Sequence, residues 1–204
     1  MYRDHEYWGK PVPGFGDRRA QLLILGLAPG AHGSNRTGRM FTGDRSGEFL
    51  YRALYEAGFA NQPEARERGD GLELRGCYIT ASLRCAPPQN KPQPEELRNC
   101  QPFLERELEL LPRVRVVLAL GRIAFDTYLR LVSRTAPDGA MRKEFPPRSS
   151  FIFAHGANFA LPSGLPRLFA SYHPSQQNTQ TGKLTPRMMW NVLEDIGLFL
   201  SRRS

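Results

Sequence analysis

Short apolar runs alternate with longer amphipathic stretches along this chain. The runs predict strands at 21–27, 76–82, 114–120 and 167–172. The nearly continuous apolar character within 114–120 fits a strand covered on both faces. The stretches between them predict helices at 46–58, 94–110, 121–133 and 185–201. In the second of these, Leu97, Cys100, Leu104, Leu108 and Leu111 recur at helical spacing, and Pro94 occupies the first turn. Strands alternating with helices imply parallel βαβ units. The expected fold is α/β: a three-layer α/β/α sandwich around a central, mainly parallel four-stranded sheet, in one domain spanning 1–204. Residues 1–20, rich in Pro, Gly and aromatics, read as an irregular lead-in. The segment 134–166 is less regular, with Pro146 and Pro147 and a hairpin expected around 150–161.

Three polar loops would leave carboxyl ends of these strands, the edge where open α/β sheets bind ligands. The first runs from Gly26 through Leu27, Ala28, Pro29 and Gly30 to Asp44. Its glycines permit positive φ and close approach to a ligand. Asn35, Arg36, Thr37 and Arg39 add donors, Phe41 a flat apolar face, and Asp44 a carboxylate. The second is Arg84–Asn90. The third begins at His173-Pro-Ser and continues through Gln176, Gln177 and Asn178. Pro174 locks the chain beside His173, so one ring nitrogen is poised to point into a cleft. Taken singly, each has a plain alternative: a phosphate-binding turn, a loop, a structural histidine.

Charge narrows the partner. Lys and Arg total 28 against 20 Asp and Glu, a net charge of +8 over 204 residues. Such an excess favours a polyanion, through steering and counterion release. No apolar run approaches the roughly 20 residues that span a bilayer, and Met1–His5 lacks the apolar core of a signal peptide. The three cysteines, Cys77, Cys85 and Cys100, are too few for a disulfide framework and fit a reducing, cytoplasmic setting.

Together the Gly26–Gly30 loop, Gly38-Arg-Met-Phe-Thr-Gly-Asp44, Arg84-Cys-Ala-Pro-Pro-Gln-Asn90 and His173-Pro-Ser with its Asn178-Thr-Gln-Thr-Gly182 tail resemble the uracil-DNA glycosylase superfamily. The likeness is closest to its family 5, the type-B branch. It implies a monofunctional glycosylase that flips uracil, and other deaminated bases, out of DNA and hydrolyses the N-glycosidic bond. The implied partner is damaged DNA, bound by a monomer with no membrane contact.

That reaction needs a pocket for the flipped base, donors aimed at its developing negative charge, support for a cationic sugar, and an activated water. The resemblance implies that Gly26, Leu27, Ala28, Pro29 and Gly30 line the pocket. Phe41 would stack on the base, unless it merely anchors the loop to the core. Asn90 would pair with the base edge, or simply shape a turn before Lys91-Pro92. His173 would donate to a base oxygen, for which a neutral imidazole suffices. Other superfamily branches carry an acidic residue at the positions of Leu27 or Ala28, and neither residue here can activate water. The family-5 likeness therefore hands that role to Asp44, whose alternative is to cap the helix starting near Ser46. His32 is expected to line the entrance or contact a phosphate, Arg36 and Arg39 to sit at phosphates, Ser175 and Asn178 at phosphates or base edges, and Gln176 and Gln177 in the gap left by the flipped base.

The resemblance also implies a [4Fe–4S] cluster, with Cys85 and Cys100 as ligands beside a Cys-x-x-Cys pair near the N-terminus. This chain lacks that pair, and a cubane needs four ligands. An upstream segment carrying the pair is favoured over loss of the cluster, and His5 is a poor substitute. Two further function classes stay open: a catalytically silent DNA-damage or single-strand binder, and a nucleotide-phosphate enzyme. The second lacks the Lys-Ser/Thr pair that a P-loop requires.

Overall fold

The computed structural model describes residues 6–135, 145–162 and 164–202. His5 and the first residues of the lead-in therefore lie outside the described residues, as does part of the irregular 134–166 segment. Six strands form one sheet: β1 (Phe15–Gly16), β2 (Leu22–Gly26), β3 (Cys77–Ala81), β4 (Val116–Leu120), β5 (Asn158–Phe159) and β6 (Arg167–Ser171). Their order is β1-β3-β2-β4-β6-β5. The central four run parallel, in register at Leu22↔Cys77, Leu22↔Val116 and Leu118↔Phe169.

The four expected strands are thus the parallel centre of the sheet, and two short antiparallel edges extend it. β1 pairs with β3 and β5 with β6. Each edge has two residues, too few to show an alternation of period two. The hairpin expected around 150–161 is corrected: Asn158–Phe159 pairs with β6 instead. Before it, the chain turns at Gly156, whose N–H reaches the carbonyl of Ala170. Two antiparallel neighbours were expected within the segment; its partner is a strand further along the chain.

The helices are α1 (Ser34–Thr37), α2 (Arg45–Glu56), α3 (Pro94–Leu110), α4 (Arg122–Thr135), α5 (Gln176–Gln180) and α6 (Pro186–Ser201). Alternate side chains of each central strand feed opposite layers. Leu22, Ile24, Val116 and Leu118 join the core under α2 and α6. Leu23, Leu25, Val117 and Ala119 join the core under α3 and α4. Burial on both faces explains why these strands read as continuous apolar runs.

End chemistry sets the helix boundaries. The Asp44 side chain accepts from Gly47 N–H at the start of α2, and Thr185 accepts from Met188 N–H at the start of α6. At α3, Glu96 accepts the Gln93 N–H at 2.7 Å. A buried polar link ties β3 to α3. Arg84 pairs with Glu107 at 2.5 Å, and Thr80 donates to the same carboxylate at 2.6 Å. It fixes the start of the loop that follows β3. Among the described residues no helix is long and apolar enough to cross a membrane.

The parallel centre places the carboxyl ends of β2, β3, β4 and β6 along one edge. The chain leaves β2 for β3 on one side, then crosses to β4 on the other. The loop after β2 therefore lies at a reversal of strand order, where such sheets open a crevice.

Candidate active site

The loop from β2 to α2 is held by its own backbone and a few short side chains. Gly30 C=O accepts the N–H groups of Gly33 and Asn35. Gly38 closes α1 at φ +75°. Phe41 then adopts φ +53°, uncommon for an aromatic residue and of the kind that persists where its surroundings over-determine it. Those surroundings are specific: its N–H donates to Ser34 Oγ at 2.8 Å. Tyr51 donates to the preceding carbonyl, Met40, at 2.7 Å. A Cβ on Gly26 would lie 2.9 Å from the Phe41 ring, and one on Gly47 would lie 1.7 Å from its carbonyl oxygen. Two glycines thus make room for one aromatic residue.

Asp44 sits where the loop meets α2. One carboxylate oxygen, Oδ1, accepts from Gly47 N–H at 2.9 Å. The other, Oδ2, lies against the loop, where a Cβ on Gly33 would come within 2.0 Å and one on Gly30 within 2.9 Å. The capping alternative is therefore real, and it occupies only half of the carboxylate. Burial raises the Asp44 pKa, against the lowering effect of the Gly47 and Ser46 N–H groups and of Arg36.

His173 follows β6 by two residues. Burial pushes its pKa down to about 4, so the imidazole is neutral at pH 7. Its ring lies 5.9 Å from that of Phe41, tilted by 31°. The Asn178 amide donates to the His173 carbonyl at 2.8 Å. Asn90 comes from the third wall at φ +57°, directly after Gln89 at φ +54°. Asparagine tolerates this left-handed region better than most residues.

Leu27, Ala28, Gly30, Phe41, Asp44, Asn90, His173, Ser175 and Gln177 converge on one cleft of about 460 Å³. That size suits a small ligand. It is an apolar slot with a carboxylate, an amide and a neutral imidazole on different walls. Gly26 borders it through the Phe41 ring, and Pro29 is buried beneath the loop. Ser34, Met40, Ser46 and Pro87 also line it, and none of them stands out in the sequence as a site residue. Ser34 lies in a Gly-Ser-Asn run with no distinguishing pattern; only its bond to Phe41 reveals its part.

The basic and polar residues divide. Arg39 is corrected: it is 4% exposed, not at the surface for a phosphate. Its guanidinium makes two 2.7 Å bonds to Asp70 and one of 2.9 Å to Thr42. Arg36 braces the loop, its side chain donating to the His32 carbonyl at 2.8 Å and the Gly43 carbonyl at 3.4 Å. His32 is exposed, with Nδ1 2.7 Å from the Tyr7 hydroxyl. Ser175 caps α5 by accepting from Asn178 N–H, and Gln176 and Gln177 are exposed on its first turn.

Cys85 is exposed on the loop after β3, and Cys100 is half-buried on α3. Burial raises the Cys85 pKa, and the neighbouring Cys100 and Glu96 raise it further. Cys77 is buried in β3, its thiol directed at the Phe59 carbonyl at 3.6 Å. Two adjacent thiols are half of a cubane's ligands. Among the described residues no group of three or more His, Cys, Asp or Glu could hold a metal ion. The described residues do not fit a complete [4Fe–4S] cluster.

A family model described as the uracil DNA glycosylase superfamily matches residues 13–197. The type-5 uracil-DNA glycosylase of Thermus thermophilus is 55% identical over 192 residues, covering 94% of this chain and 81% of that protein. The type-5 uracil-DNA glycosylase of Mycobacterium leprae is 49% identical over 195 residues, covering 95% and 80%. Among solved structures, wild-type SMUG2 of Pedobacter heparinus aligns with a TM-score of 0.51 at 14% identity, covering 90% of this chain and 77% of that one. At that identity the likeness speaks to the fold alone.

Proposed function

The chain belongs to the uracil DNA glycosylase superfamily, among its type-5 members, and on that premise we propose how its cleft works. The protein is a DNA-repair glycosylase: it excises uracil from DNA by hydrolysing the N-glycosidic bond. The observation that carries the assignment to this cleft is the convergence of Phe41, Asn90, His173 and Asp44 at the carboxyl edge of the sheet.

The flipped base would enter the slot and stack on Phe41, offsetting part of the few kcal/mol lost on unstacking. Asn90 presents both a donor and an acceptor, the complement of a uracil edge. As the C1′–N1 bond lengthens, negative charge moves onto the base and positive charge onto the sugar. His173, kept neutral by burial, would donate an N–H to a base oxygen where that charge gathers. A neutral donor stabilises the anion without having to release a proton, as in other sites that polarise an oxygen with uncharged imidazole. As C1′–N1 breaks and the base leaves as its anion, Asp44 would counter the oxocarbenium charge through Oδ2 and take the proton of the water that forms the new bond to C1′. Its Oδ1 stays on Gly47 N–H, so capping orients the carboxylate for that task.

A slot without an acidic residue at Leu27 or Ala28 would also accept other deaminated bases. Ser175, Gln176 and Gln177 lie where flanking DNA would pass, Gln177 at the cleft itself. The steps above use side chains of this chain alone, and none runs through an iron–sulfur cluster. A cluster would draw on Cys85 and Cys100 and on ligands beyond the described residues.

The test is an end-labelled duplex with one uracil, incubated with folded protein and then treated with alkali. Strand cleavage at the uracil is expected. Intact DNA that shifts in a gel would overturn the assignment in favour of a silent binder.

A further inference from the structure

His173 has an odd position for a residue asked to place a donor accurately. Among the described residues its ring makes no hydrogen bond; it meets the Phe41 ring, and its Cβ lies 3.4 Å from where a Cβ of Gly121 would be. Its placement must therefore come from its backbone. On the carboxyl side the anchor is Asn178, which donates to the His173 carbonyl at 2.8 Å. On the amino side the anchor is another histidine.

His155 lies in the turn that leads into β5. Its Nδ1 is 3.3 Å from Tyr172 N–H and 3.3 Å from Ser171 Oγ, and its Nε2 is 3.3 Å from the Met188 carbonyl. Its ring also tilts against that of Tyr172, with centroids 5.3 Å apart. A backbone N–H can only donate and a carbonyl can only accept. Nδ1 must then be bare and Nε2 must carry the proton. The Tyr172 and Met188 contacts fix one neutral tautomer, the Ser171 hydroxyl having its shorter bond to the Tyr172 carbonyl at 2.9 Å, and partial burial favours that neutral form by lowering the His155 pKa. One ring thus joins three segments: the turn before β5, the end of β6, and the first turn of α6.

Resting on the proposed role of His173, we propose that His155 is a positioning residue for the reaction, acting through the Tyr172 backbone to set where the His173 ring points. Nothing in the sequence marks it, since Ala154-His-Gly156 lies outside every loop that leaves the sheet's carboxyl edge. Without the Nδ1 acceptor, Tyr172 N–H loses its partner one residue from His173. The strand end is then free to shift, and displacements of an ångström at a reacting centre are enough to cost turnover heavily.

Two variants separate positioning from mere support. In His155→Leu the ring is replaced by a side chain of similar bulk without an acceptor. In His155→Asn the amide oxygen takes the place of Nδ1. With a saturating uracil duplex, His155→Leu is expected to lower kcat about tenfold or more with KM within about twofold, and His155→Asn to restore most of it. Unchanged kcat in His155→Leu, or a His155→Asn variant as slow as His155→Leu, would overturn the proposal. Should the variants fold poorly, nitrogen-15 NMR of the wild-type imidazole gives a second reading. A proton on Nε2 at pH 7 is expected, and one on Nδ1 would overturn it. Failure of wild-type protein to release uracil would instead strike the function proposed above, and the NMR reading would still stand or fall by itself.

Discussion

Gly33 and Asp44 show how a single hydrogen atom can decide the geometry of a site. A methyl group at Gly33 would sit 2.0 Å from Asp44 Oδ2, closer than any contact tolerates, and the backbone on both sides is fixed. Gly33→Ala is therefore expected to displace the carboxylate and slow uracil release at least tenfold, measured in single turnover, with DNA affinity nearly unchanged. His173 offers a second residue-scale test. Replacement by Gln keeps a donor near the same place and is expected to retain more activity than replacement by Leu, which removes it. Equal rates for the two would end the role of His173 as a donor. Much of this scale was legible in the sequence, because Phe41, Asp44, Asn90 and His173 are the chemically distinctive members of three loops that follow strands. The capping alternative for Asp44 could not be resolved there. Which oxygen caps and which faces the loop depends on packing against Gly30 and Gly33, not on residue type.

Arg39 shows what sequence could not supply at the scale of elements. As a cation among glycines it resembled a phosphate ligand, yet it is buried against Asp70, thirty-one positions along the chain. The pair joins the loop after β2 to the loop before β3. Burial alone would raise the Asp70 pKa; the Arg39 guanidinium and the N–H groups of Leu72, Arg66 and Glu67 outweigh it and hold the carboxyl well below its usual range. Removing one partner leaves a buried charge, so Asp70→Asn is expected to cost about 3–5 kcal/mol in urea unfolding. A loss under about 1 kcal/mol would mean that the pair behaves as a surface bridge. The main strands and helices were legible because the apolar runs and end caps are local signals. β1 and β5 were not, since two residues are too few to show an alternation, and the partner of β1 lies far along the chain.

Over the whole molecule, the neutral, half-buried histidine His173 links fold to pH. The folded-state pKa of His173 is near 4 against an ordinary value of 6.5. Between those values the unfolded chain binds a proton that the folded chain refuses. Its contribution to stability is thus full above pH 6.5 and falls as pH drops toward 4. Asp70 extends the same trend, its stabilisation being lost as pH falls below its ordinary 3.8. Melting temperature is expected to fall on acidification from pH 6.5 to 4 in the wild type and to fall less in His173→Gln; parallel curves would contradict the assignment. The net charge of +8 adds a second whole-molecule expectation: DNA affinity should fall steeply with salt.

The central claim is that the Asp44 carboxylate serves chemistry as well as the helix end, and Asp44→Asn tests it most directly. Asparagine caps helices about as well as aspartate, so the fold should keep its melting temperature. It carries no negative charge to hold water or face a sugar cation. Single-turnover cleavage of a uracil duplex is expected to slow about a hundredfold or more, with melting and DNA binding unchanged. Wild-type rates in that variant would contradict the account and leave Asp44 as a cap alone.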